Sequence, residues 1–283
     1  MYWGAEQKGI LMKKKLSTII LCAVFLVGLG LLLYPSVSDW WNSFHQTYAI
    51  ANYAEAAAEL SEEDCARLLQ QAQEYNESLL SKPNPLVPSE EELAAYGDVL
   101  NVTGNGIMGY IEIPKIKCNL PIHHGVGEEV LQTAIGHIPG TSLPIGGAST
   151  HCVVSGHRGL PSAKLFTDLD QMVPGDIFMI QTLNDTLTYE VDQIRIVEPQ
   201  EVNDLTIIPG GDYFTLVTCT PYGINSHRLL VRGIRTENLP EASSVRVTSE
   251  AMQIEPMLVA PIAAAPMLIV LMVLFLTGGK RKR

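Results

Sequence analysis

Each end of the chain carries a long apolar run beside a basic cluster, and this pairing constrains the molecule more than anything between. The run from Leu16 to Tyr34 has no charged side chain and follows Lys13, Lys14 and Lys15. A bilayer core takes roughly 20 apolar residues as a helix, so this segment is long enough to cross it. The run from Met257 to Leu276 is also uncharged, and Lys280, Arg281, Lys282 and Arg283 follow it. Pro261 and Pro266 kink such a helix without excluding it. A cleaved signal peptide competes for the first run, but its apolar core would be only roughly 7 to 15 residues, and no small-residue cleavage pattern follows. A buried helix competes for the second, and the terminal basic cluster favours a span.

Basic flanks stay on the cytoplasmic side, so the region from about residue 35 to 256 is expected outside the membrane, in a two-pass arrangement. Of the 19 Lys and Arg and 30 Asp and Glu, eight basic residues and one acidic residue lie in the two ends, leaving 11 and 29 between them. An outer region with a net charge of −18 repels nucleic acid and anionic headgroups and depends on its anchors to stay at the membrane. With 17% charged and 47% hydrophobic residues, extended disorder is excluded.

Composition divides the chain further. Residues 1–36 read as a cytoplasmic tail and signal anchor. Residues 37–81 read as an extracellular helical segment, rich in Ala, Glu, Gln and Leu and broken near Ser61, where Ser-Glu-Glu-Asp forms an N-cap and acidic first turn. Leu69, Ala72, Tyr75 and Leu79 give that segment one apolar face. Trp40 and Trp41 suit the membrane interface. Residues 82–106, punctuated by Pro83, Pro85, Pro88 and Gly104, read as a loop with a short acidic helix around Ser89 to Tyr96, and a loop of this length is a candidate lid. From residue 107 to 236 short runs such as 110–113, 151–154, 176–180, 187–191, 193–196, 213–218 and 228–232 alternate with turn residues, which fits a β-barrel or sandwich with one helical stretch at 162–169. Residues 237–256 are a polar linker, and 257–283 the second membrane helix and basic tail.

Five cysteines are present, Cys22 among them inside the first apolar run. No CxxC or other metal-ligand spacing occurs, so neither zinc nor any other cofactor is expected. Cys152 sits within an apolar strand and reads as core. Cys219 closes an apolar strand and precedes Thr220-Pro221-Tyr222-Gly223, which places a thiol at a strand lip. A thiolate nucleophile needs an imidazole or cation nearby. His157, in Ser155-Gly156-His157-Arg158-Gly159, and Arg228, at the start of the next strand, occupy comparable strand ends. His123, His124, His151 and His227 rival His157 on residue type alone.

The stretch from Thr215 to Gly233, TLVTCTPYGINSHRLLVRG, resembles the active-site segment of sortases, most closely the pilin-polymerising class C. Thr150 to Leu169 resembles the same family's His segment, and Gly109 to Ile116, Leu120 to Ile122 and His137 to Ile145 resemble its earlier strands and loops. The resemblance covers about residues 106 to 235. It implies a mainly β fold, a closed sortase barrel with short helices, an N-terminal helical segment and two transmembrane helices. It also implies a cysteine transpeptidase of the Gram-positive cell surface that cleaves an LPXTG-like signal between Thr and Gly and passes the acyl group to a pilin Lys amine. By motif, Cys219 becomes the nucleophile, His157 the general acid and base and Arg228 the electrostatic partner, with Thr218, Ser155 and Tyr222 binding substrate or supporting the site. Expected partners are LPXTG-bearing pilins or surface proteins and the membrane. Class C members often carry an Asp-Pro-aromatic lid motif, and residues 80–106 contain none, so any cover over Cys219 lacks an Asp anchored to Arg228. A hydrolytic cysteine protease on the same signal and a noncatalytic surface adhesin are the competing readings.

Overall fold

The computed structural model describes residues 3–238. Residues 3–38 belong to one compact unit and residues 39–238 to a second. In the first, helix α1 (Trp3–Ala58) begins, and it continues through Pro35 into the second. Its stretch from Ser17 has a mean hydropathy of 2.4, and among the described residues it alone is long and apolar enough to cross a membrane. The exposed side chains of Ile19, Val24, Leu31 and Leu32 are what a lipid-facing helix requires. The C-terminal run Met257 to Leu276 and nearly all of the linker lie outside the described residues.

Within the second unit, eight strands close a barrel in the order β1-β2-β3-β4-β7-β8-β6-β5. They are β1 (Ile107–Ile113), β2 (Cys118–His124), β3 (Ile135–His137), β4 (Thr150–Ser155), β5 (Ile177–Thr182), β6 (Asp185–Val197), β7 (Asp212–Thr220) and β8 (His227–Thr236). Pairing is antiparallel except between β2 and β3 and between β4 and β7. The two-residue side-chain period divides each strand. Cys152 and Val154 of β4, Phe214 and Leu216 of β7, and Leu229 and Val231 of β8 point into the main core. The alternate positions Val153, Val217 and Leu230 join Val197 in a separate apolar cluster on the outer face.

The helices outside the barrel are fixed by capping and burial. Ser61 accepts from the Asp64 amide at 3.0 Å and starts α2 (Glu62–Leu80), as the sequence predicts. Ala72 and Leu79 are buried and Leu69 and Tyr75 pack against the core, so the expected apolar face is present. Tyr53 on α1 donates to the Met108 carbonyl and accepts from the Leu183 amide, both at 2.9 Å.

Residues 82–106 pack against the barrel. Ser89 and Glu92 form a capping box at the start of α3 (Glu90–Asp98). The Pro85 carbonyl lies against Gly140, whose φ is +86° and where an added Cβ would come within 2.0 Å of that oxygen, so only glycine fits. Tyr96 and Leu100 are buried, and both ring nitrogens of His124 face carbonyls of this segment, Gly106 at 2.9 Å and Val99 at 2.7 Å.

Two expectations are corrected. Residues 162–169 form no α-helix: Leu165 has a φ of +38°, the Phe166 amide donates back to the His157 carbonyl, and only a 3₁₀ turn follows, Leu169–Gln171. The runs 187–191 and 193–196 are one strand, β6, whose register shifts between Val191 and Gln193.

His137 carries a pH prediction. Its Nε2 donates to the Ser142 carbonyl at 2.9 Å, so Nδ1 accepts from the Tyr96 hydroxyl at 2.8 Å and the ring is neutral. Burial lowers its pKa to about 4 from 6.5. Stability from this group is therefore complete above pH 6.5 and is lost as pH falls toward 4, because the unfolded chain binds the proton first. The cost between pH 7 and pH 4.5 is on the order of 2 kcal/mol. Urea unfolding of wild type and His137→Gln at both pH values checks this, and equal pH slopes would contradict it.

Candidate active site

β4 and β7 run parallel, with Ser155 opposite Val217. Two residues beyond each partner stand His157, just past the end of β4, and Cys219, still within β7, so two positions 62 residues apart in sequence come to one end of this strand pair. Pairing persists past the strand end: the Gly156 amide donates to the Val217 carbonyl at 3.0 Å, and the buried Thr218 hydroxyl donates to the Gly156 carbonyl at 2.8 Å. Thr218 thus supports the backbone that presents His157. On the other side of β7, Cys219 faces Arg228 directly across the antiparallel β7–β8 ladder.

Strand alternation places Cys219 and Arg228 on the outer face, beyond the apolar floor of Val153, Val217 and Leu230. Cys219 is half-buried, whereas Cys118 and Cys152 are buried. Burial pushes the Cys118 thiol up to about 12 and the Cys152 thiol upward as well, which keeps both protonated and inert. Arg228 donates to the carbonyls of Asn225 and His227, contacts that hold its guanidinium beside the β7–β8 turn. Across that turn, Tyr222 touches the loop after His157: a Cβ on Gly159 would lie 2.7 Å from its ring, and the Arg158 guanidinium sits 5.9 Å from the ring centroid. Ser155 is half-buried at the end of β4.

Three of the competing histidines, His124, His151 and His227, have structural partners. His151 bonds the Thr206 carbonyl at 2.9 Å and the Thr215 hydroxyl at 2.7 Å, His124 bridges two carbonyls, and His227 bonds Ser226 at 2.9 Å. Burial lowers the pKa of His123. His157 differs from these: its Nε2 is buried and makes no hydrogen bond. Sequence reasoning missed a carboxylate beside that nitrogen, Glu128 Oε2 at 3.9 Å, on the short helix α4 (Glu128–Leu131).

Residues 111–236 match the Sortase domain family. Sortase C1 from Streptococcus agalactiae is 49% identical, with a TM-score of 0.65, over 68% of this chain and 100% of that chain. This chain belongs to the sortase family. Sortase C-1 from Streptococcus pneumoniae is 44% identical over 68% of this sortase and 100% of its own chain, with a TM-score of 0.61. Sortase A from Streptococcus agalactiae serotype III is 32% identical over 117 residues, 40% of this sortase and 47% of its own length. The chain spans about half the length of the curated relatives it matches. The closed barrel implied by the resemblance is therefore the fold of this sortase, with eight strands, and its class C likeness rests on sortases C1 at 40–49% identity.

Proposed function

We propose that this sortase is a membrane-anchored cysteine transpeptidase that cleaves an LPXTG-like signal between Thr and Gly and joins the Thr acyl group to a pilin Lys amine. The observation that carries the proposal is the convergence of three strand ends: His157 two residues past the end of β4, which runs beside β7, and Cys219 of β7 opposite Arg228 of β8. The Cys219 thiolate attacks the Thr carbonyl and forms a tetrahedral oxyanion. Collapse breaks the Thr–Gly C–N bond, His157 gives its proton to the departing Gly amine, and a thioester remains. The Lys amine then attacks the thioester, His157 takes a proton from it, and the thiolate leaves as the isopeptide bond forms. Arg228 stays protonated throughout, so it acts on the oxyanion or the substrate carbonyl and never as a base. No nucleotide is required, because the thioester keeps the acyl group activated.

The full chain in detergent, mixed with an LPXTG peptide, should gain the mass of the peptide acyl group, and Cys219→Ala should not. With an amine acceptor present, ligated product supports transpeptidation. Release of free acid alone would support the hydrolytic reading. An unchanged function in Cys219→Ala would favour an adhesin.

The anchor is α1, with the catalytic barrel outside the membrane. We extend this to a two-pass topology in which residues 257–276 return the chain to the cytoplasm. A C-terminal tag that is inaccessible to protease on intact cells supports it, and external cleavage overturns it.

The lid reading of residues 82–106 belongs to the same proposal. Tyr96 ties this segment to β2 and β3 by accepting from the Gly125 amide at 3.1 Å and by its contact with His137. Tyr96→Phe removes those bonds at a cost of about 1–3 kcal/mol. If the segment covers Cys219, alkylation of that thiol accelerates in the variant, and unchanged kinetics count against a cover.

A further inference from the structure

We propose that Glu128 is a positioning residue for His157, engaging Nε2 so that Nδ1 is the nitrogen left for proton exchange. The inference rests on the catalytic reading of His157 above. Three observations support it. His157 Nε2 is buried with no hydrogen-bond partner, although a ring nitrogen removed from water ordinarily has one. Glu128 Oε2 lies 3.9 Å away, an ion-pair distance that a small side-chain rotation converts into a hydrogen bond. The other carboxylate oxygen, Oε1, accepts from Gln132 Nε2 one helical turn later, which orients Glu128 and leaves Oε2 for the imidazole.

The backbone beneath Glu128 is also fixed relative to His157. The Val130 and Leu131 amides both donate to the Gly127 carbonyl at 3.0 Å, and the Ala134 amide donates to the Val130 carbonyl at 2.9 Å. Residue 135 then begins β3, where Gly136 pairs with Ser155, two residues before His157. The other charged groups near the ring are committed differently. Arg158 is paired with Asp170, Lys164 with Asp168, and Arg228 with backbone carbonyls. Cys219 comes from β7. None of these offers Nε2 a carboxylate.

The chemistry explains why such a partner matters. His157 must carry a proton when the Gly amine leaves and must take one when the acceptor amine attacks. A carboxylate at one ring nitrogen favours the charged ring and fixes which nitrogen reacts, the role a third group plays for other activated nucleophile–base pairs. Because the Glu128 side chain is 74% exposed, the effect is modest and screened by salt.

The test uses the full chain in detergent, ligating an LPXTG peptide to an amine acceptor from about pH 5.5 to 9.5. Glu128→Gln should lower kcat by about 3- to 10-fold with KM unchanged within about twofold. Glu128→Asp should recover most of the difference, and about 0.5 M salt should narrow it. A Glu128→Gln kcat equal to wild type, or an equal loss in the exposed neighbour Glu129→Gln, overturns the proposal. The catalytic reading fails by a different sign, ligation that survives Cys219→Ala. In that event the pairing is still read on the thiol, because Glu128→Gln should change the rate of Cys219 alkylation by iodoacetamide and Glu129→Gln should not. Unchanged alkylation rates for both variants overturn it.

Discussion

His157→Ala should lower kcat for peptide-to-amine ligation by about 10²- to 10⁴-fold, the contribution of a positioned general acid and base. The expected defect lies in proton transfer. The Gly amine leaves poorly without a proton, so thioester formation in a single turnover should slow as much as the full cycle. The substrate KM should change little, because the apolar floor of Val153, Val217 and Leu230 is unaltered. A substrate whose leaving group needs no protonation, such as an activated ester of the same peptide, separates the roles. It should restore much of acylation to His157→Ala and none to Cys219→Ala. Ligation by His157→Ala within about tenfold of wild type would remove the imidazole from the mechanism.

The thiol and imidazole were legible in the sequence because each closes an apolar run and opens a Gly-containing loop. That their strands lie side by side was not, since the parallel pairing between β4 and β7 joins segments 62 positions apart and leaves no local signal. Arg228 was easier, because the runs 213–218 and 228–232 are neighbours in sequence joined by a turn-rich stretch, and their antiparallel pairing puts it opposite Cys219. Glu128 had no signature: Gly-Glu-Glu before an apolar residue looks like the solvated first turn of any short helix. Two local misreadings have physical causes. Phe166 and Leu169 are both buried three positions apart, which imitates a helical face, but the backbone turns back at Leu165 to bond His157. Asp192 looks like a turn between two strands, yet it sits at a bulge within β6 and binds Arg232 by both carboxylate oxygens, at 3.0 and 2.6 Å.

β7 separates stability from catalysis by side-chain parity, and a pair of substitutions three residues apart should expose the division. Phe214 points inward, is fully buried, and packs against Phe178 and Tyr189 with ring centroids 5.8 and 5.5 Å away. The packing there has little room to collapse: a Cβ on Gly233 would already come within 2.7 Å of the Phe178 ring. Phe214→Ala should therefore cost about 3–5 kcal/mol, a large share of the 5–15 kcal/mol that usually holds a domain together. Turnover per folded molecule should remain near wild type, because the outer face is untouched. Val217 points outward into the floor beneath the site, and Val217→Ala removes two methyl groups at a cost of about 2 kcal/mol. Its larger effect should be on KM, which rises severalfold as the buried support on the same face of β7, two residues before Cys219, loosens. Urea unfolding of the full chain in detergent, with ligation kinetics on the same preparations, measures both. If Phe214→Ala raised KM while Val217→Ala carried the greater loss of stability, the assignment of core to the inner face and substrate to the outer face would be wrong.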